Sequence, residues 1–329
     1  MTRAVALLVV SAAAALAGPE FCASCHEIRP KVEEWKNSSH RNVECTSCHE
    51  YNMMKNARRA MLHVKDDVPE QPHIGTKDID ALVDRCKTCH QQQYAEWKAG
   101  PHSATYARIF TNADHNKKRK LMDDCFRCHG MHFEGSMRDM VQPVDTKGPW
   151  KIAAKDMENK PAIPCMACHS IHHTGQPSMK PEQRDGRKQA TMKSTVALFD
   201  RRSRSSVPAA LLPIPMMFDG HPVKTSPDQR QGLCYQCHAP LAGNTVGSGD
   251  DRTPTGVHEG LSCFVCHQGH QQNTRASCST CHPRLSNCGI DVEKMDTTFA
   301  NTKSAHNIHT VKCADCHPKG VPQRKNGLR

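Results

Sequence analysis

The chain has 329 residues, 37% of them hydrophobic and only 5% aromatic, with a formal net charge of +11. So little apolar material excludes a conventional side-chain core spanning the whole length. The basic balance on its own points to nucleic acid, a reading that the cysteines overturn.

Residues 1–17 predict a targeting signal. Met1-Thr2-Arg3 is a short basic start, Ala4 to Ala17 is a continuous apolar run, and Ala15-Leu16-Ala17 is a small-x-small cleavage pattern. The run is short for a bilayer span, which takes about 20 residues. The alternative is an uncleaved membrane anchor, the one case that would put the protein on a membrane. No later stretch is apolar enough to cross one.

From residue 22 onward the pattern Cys-x-x-Cys-His recurs nine times and absorbs eighteen of the nineteen cysteines. Cys22 and Cys25 precede His26, Cys45 and Cys48 precede His49, and Cys86 and Cys89 precede His90. Cys125 and Cys128 precede His129, Cys165 and Cys168 precede His169, and Cys234 and Cys237 precede His238. Cys263 and Cys266 precede His267, Cys278 and Cys281 precede His282, and Cys313 and Cys316 precede His317. Each pentapeptide is the attachment signature of a c-type haem. Two thiols add to the two vinyl groups of a porphyrin, and the adjacent imidazole becomes the proximal ligand of its iron. Structural zinc needs four ligands and gives no reason for His after every second cysteine. A thioredoxin-type dithiol would occur once. Nine haem c groups are therefore expected, and with them export to a periplasmic or extracellular site, since bacteria attach haem to thiols outside the cytoplasm.

About 35 residues then remain for each haem. The expected fold is mostly α and coil with little sheet, a multihaem cytochrome c in which closely packed haems form the core. Thioethers and iron–imidazole bonds would fix the chain as disulfides and metals fix small domains. Each ferric haem, with two propionates, adds about one negative charge, so nine bring the total to about +2. That removes the case for nucleic acid.

The spacing of the attachment histidines predicts a five-haem region over 18–178 and a four-haem region over 233–329. Between them, 179–232 reads as a haem-poor linker or strap. Its stretch Ser203 to Pro227 is rich in Pro and Ser and should run extended over the surface. Two repeats are visible. Glu34-Trp35-Lys36 leads to His40 as Glu96-Trp97-Lys98 leads to His102. A second histidine lies three residues beyond the proximal one at His132, His172 and His270, and others stand shortly before an attachment motif at His40, His258 and His309.

Of the twenty-two histidines, nine are proximal. Thirteen remain for nine distal positions, which predicts bis-histidine coordination at most or all irons. The expected distal ligands are His40, His63, His102, His132, His172, His258, His270, His306 and His309. His115 and His221 are further candidates, and His73 and His173 are the expected spares. Cys288 stands outside every motif and is read as a buried inert thiol, the alternatives being an intermolecular partner or an unusual ligand.

The stretch Glu20-Phe21-Cys22-Ala23-Ser24-Cys25-His26-Glu27, followed by Arg29, Glu34, Trp35 and His40, resembles the start of the NapC/NirT family of quinol-oxidising multihaem cytochromes. That family commonly has Met two residues after the histidine. Ile28 stands there in this chain, so methionine ligation does not carry over. The segment from Cys86 through His90, Tyr94, Trp97 and His102 is similar to motifs in the tetrahaem cytochrome of nitrification and in relatives of hydroxylamine oxidoreductase. From Leu233 onward the sequence is similar to cytochrome c3-type chains.

Three functions follow as expectations. The first is an electron-transfer protein serving redox partners such as a quinol dehydrogenase, other cytochromes or a terminal reductase. The second is an enzyme reducing a nitrogen or sulfur oxyanion at one open haem, against which the histidine surplus counts. The third is a homopolymer, a haem filament on the cell exterior built by head-to-tail contacts.

Overall fold

A computed structural model describes residues 18–50, 75–117, 120–144, 150–172, 196–218, 220–238, 251–271 and 274–321, with a few isolated positions between them. Residues 1–17, the expected targeting signal, lie outside the described residues. Among the described residues no helix is long and apolar enough to cross a membrane. The architecture is short helices and coil with two-stranded antiparallel ribbons. The chain divides into two compact units, Met1–Pro177 with Lys193–Pro208, and Ser178–Met192 with Ala209–Arg329. Five attachment pentapeptides lie in the first and four in the second.

In the first unit, helix α1 (Arg29–Lys36) follows the first pentapeptide and begins at a proline that fits the opening turn. Helix α2 (Thr76–Cys89) buries Ile79, Leu82 and Val83, spaced as one helical face. Asp78 in its first turn and Lys87 in its last complement the helix dipole. The last turn of α2 is itself the third pentapeptide. His90 ends it and opens α3 (Gln91–Ala99), whose Trp97 is buried and donates Nε1–H to the Ile163 carbonyl at 3.2 Å.

One region has a side-chain core that the overall composition did not predict. Tyr106, Phe110, Phe126, Phe133, Met137, Met140, Val141, Trp150, Ile152 and Met157 form one buried cluster. The ribbon β1 (Val141–Gln142) and β2 (Lys151–Ile152) contributes one buried residue from each strand. Phe126 is wholly enclosed, with the Phe133 ring 5.1 Å away and Phe110 at 5.3 Å. Gly130 directly follows His129 here with φ +125°, and a Cβ there would stand 2.7 Å from the Tyr106 ring. Only glycine lets the fourth pentapeptide approach this cluster so closely.

Ser203 to Pro227 does not run extended throughout, since Ala209–Leu211 makes a tight helical turn. Strands β3 (Ala197–Asp200) and β4 (Ser205–Pro208) pair antiparallel within the first unit. Asp200 closes their turn by accepting from the Ser203 backbone N–H at 3.1 Å. Arg201 fastens the hairpin, donating Nε–H to the Phe133 carbonyl at 3.1 Å while its guanidinium lies over Phe126. From Ala209 onward the chain belongs to the second unit, where Met217–Phe218 pairs with His221–Pro222.

The second unit carries α4 (Gln231–His238) and α5 (Arg275–Cys281), each ending in an attachment motif. Fully buried Asp228 is gripped by Arg230 at 2.7 and 2.8 Å and accepts from Ser262 Oγ at 3.1 Å. Ser262 in turn caps the single helical turn Cys263–Cys266 by accepting from the Phe264 N–H. Two backbone stretches also run side by side. Thr255 N–H donates to the His309 carbonyl at 3.0 Å and Val257 N–H to the Val311 carbonyl at 2.9 Å. At Gly256, between them, a Cβ would fall 2.0 Å from the Val311 oxygen. That glycine allows the contact which sets His258 and His309 close together.

Candidate functional site

The attachment pentapeptides after the first share one local conformation. The histidine backbone N–H donates to the carbonyl of the first cysteine at His49, His90, His129, His169, His267, His282 and His317, over 2.7–3.0 Å. One α-turn therefore brings both thiols and the imidazole to the same side. His238 ends α4 in the same helical register. The attachment cysteines range from half-buried to exposed.

Attachment turns far apart in sequence come together. The thiols of Cys86 and Cys165 are hydrogen-bonded, which raises Cys86 and lowers Cys165 from the usual thiol value. Cys263 is raised in the same way by its hydrogen bond to Cys234. Cys22 feels Cys45, and Cys48 feels Cys86 and Cys89, as burial pushes both up. Cys266 is raised by burial and by Cys281.

The imidazoles are arranged in pairs. Two imidazoles on opposite faces of one iron, each bonded at about 2.0 Å, have ring centroids about 6.3 Å apart. The His40 and His90 rings are 6.1 Å apart, and those of His49 and His172 are 5.8 Å apart. In the second unit His258 stands 6.5 Å from His282, and His309 stands 6.1 Å from His267. Each pair joins one proximal histidine to one expected distal ligand, so these residues fit haem iron. Burial pushes His172 down to about 4, with His49 and Lys31 adding to the effect, and lowers His40 and His267 as well. Burial thus favours the neutral ring, the form that binds metal. His258 is aimed by Nδ1 at the Ile308 carbonyl, 3.3 Å away, and His309 Nδ1 faces Asn307 Oδ1 at 3.0 Å. Both contacts engage Nδ1, as is usual for histidines that ligate metal through the other ring nitrogen.

His132 is buried, and its ring stacks on Phe199 at 4.0 Å. Its Nε2 has no hydrogen-bond partner, and burial pushes its pKa down to about 4 despite a backbone bond to Met166. A buried, neutral, unpartnered Nε2 suits a ligand. His306 is held through Nδ1 by the Asp296 carbonyl at 2.9 Å. His102 sits in the short turn Pro101–Ser103, His270 in a turn after Cys266, and exposed His221 on the ribbon at His221–Pro222. His63, His73 and His173 lie outside the described residues, as does the side chain of His115.

Cys288 corrects the expectation of a buried inert thiol. It is exposed, and its Sγ lies 4.0 Å from His317 Nε2. The only sequence signal for it was its exclusion from the nine motifs. Among the described residues no three or more His, Cys, Asp or Glu side chains converge as a protein-only metal site would require.

These features define a haem-binding chain of the c type. The NapC/NirT cytochrome c family model, N-terminal region, matches residues 2–66, and the cytochrome c554 and c-prime model matches residues 85–170. No curated protein and no solved structure matches the chain. The protein is a multihaem electron-transfer cytochrome with covalently bound haem c and a NapC/NirT-like N-terminal region.

Proposed function

We propose that the protein carries electrons between redox partners outside the cytoplasm, along nine haem c groups whose irons mostly have histidine on both faces. When bound, the haems supply one-electron iron centres of similar potential. The chain's residues do the rest. His40 and His90 would hold one iron, His49 and His172 a second, His258 and His282 a third, and His267 and His309 a fourth. Two fixed imidazoles leave no open coordination position, and they hold the ligand geometry nearly constant between oxidation states. Contacts such as Cys86 with Cys165 and Cys234 with Cys263 bring different attachment points together, which supports hopping from centre to centre. Five haems over 18–178 and four over 233–329 would form the two groups. The partners are redox proteins, with a quinol dehydrogenase supplying electrons and another cytochrome or a terminal reductase accepting them.

The observation that carries this reading is the spacing of four imidazole pairs, 5.8 to 6.5 Å between centroids, close to that of two rings bonded to one iron. Intact mass and EPR of the mature protein test it. Nine haems with little high-spin ferric iron are expected. A strong high-spin signal in the untreated protein would instead indicate an open, substrate-binding iron.

A further inference from the structure

Cys288 does not stand alone. Leu285 bridges Asp291, the Ser286 N–H donates to the Ile290 carbonyl at 2.8 Å, and the Gly289 N–H donates to the Ser286 carbonyl at 2.8 Å. Gly289 completes this tight turn at φ +76°. The turn carries Cys288 Sγ to 4.0 Å from Nε2 of His317, the histidine of the ninth pentapeptide. The Cys288 sulfur thus faces the nitrogen of the His317 ring that would bond iron. Metal bonds of about 2.0 Å to imidazole and 2.3 Å to thiolate span about 4.3 Å in line. The observed separation matches that span. Of the expected distal ligands nearest in sequence, His309 faces His267 instead, and His306 turns its Nδ1 to the Asp296 carbonyl.

We propose that Cys288 is the distal axial ligand of the haem attached at Cys313 and Cys316, so that this iron has histidine–thiolate coordination. An anionic thiolate donates electron density and favours ferric iron. This haem therefore stays oxidised under conditions that reduce the bis-histidine centres, and it forms a distinct low-potential position in the series. The inference rests on haem attachment at the ninth motif, which is part of the proposed function.

The test uses the mature ferric protein. Eighteen cysteines in thioethers leave Cys288 as the only thiol for iodoacetamide. No label is expected in the folded protein and one equivalent after denaturation. EPR and near-infrared magnetic circular dichroism should show one histidine–thiolate low-spin centre. Cys288→Ala and Cys288→Ser should abolish it, and Cys288→His should convert it to a bis-imidazole signature. Full labelling of the folded protein without spectral change overturns the proposal, and so does a disulfide-linked dimer through Cys288. Variant spectra identical to the parent, with nine haems counted by mass, overturn it while leaving the proposed function intact. A peptide mass showing no haem on Cys313 and Cys316 overturns both. Should the variants fail to mature, labelling and spectra of the unaltered protein still decide it.

Discussion

Replacing His40 by alanine tests the axial pairing most directly. His40 lies five residues before Cys45 and fourteen after His26, so local spacing would tie it to the first or second haem. Its ring instead stands 6.1 Å from that of His90, the proximal histidine of the third. The substitution removes one of two imidazoles from one iron among nine, so about one ninth of the total iron should become high-spin. The gap left is the size of an imidazole ring. Excess exogenous imidazole should therefore enter it and return that fraction to the low-spin state. Spin-quantified EPR of the purified variant reads both effects, with intact mass confirming nine haems. His221→Ala, at an exposed position on a short ribbon, serves as the control and should leave the spectrum unchanged. A His40→Ala protein with all nine haems and no new high-spin iron would refute the pairing. So would high-spin iron that ignores added imidazole, because the lost ligand would then not have left an imidazole-shaped opening.

Further substitutions probe the supporting structure. Phe126→Ala removes a fully enclosed ring from the aromatic cluster and should cost about 3–5 kcal/mol; thermal unfolding of the holoprotein measures this, and a loss below about 1 kcal/mol would mean the cluster is not packed as described. Asp228→Ala strands the Arg230 guanidinium over Phe264 and removes the bond to Ser262. It should cost about 3–5 kcal/mol, with Asp228→Asn milder, and equal stability of all three proteins in denaturant titration would contradict it. Expression without haem attachment should give a chain with no cooperative thermal transition by far-ultraviolet circular dichroism, because iron and thioether ties supply much of its stability. A sharp transition in colourless protein would overturn that expectation.

The attachment chemistry was legible because it is local: five consecutive residues make one helical turn, and the turn sets both thiols and the imidazole. Distal pairing was not. His172 lies three residues after His169, yet it faces His49, and His309 precedes Cys313 yet faces His267. Those pairings depend on backbone contacts such as that at Gly256, which no spacing rule encodes. The side-chain core was hidden by averaging. A chain with 5% aromatic residues looks poor in core material, but Tyr106, Phe110, Phe126, Phe133 and Trp150 fall in one stretch and pack together. Composition by window, and not over the whole chain, would have exposed them.

The contact between the Cys86 and Cys165 thiols also constrains how the molecule is assembled. Bare sulfurs that met in this way before loading would oxidise to a wrong cross-link in any compartment that favours disulfides. Haem loading must therefore precede the final collapse of this unit, or a reductant must accompany the chain until its porphyrins are in place.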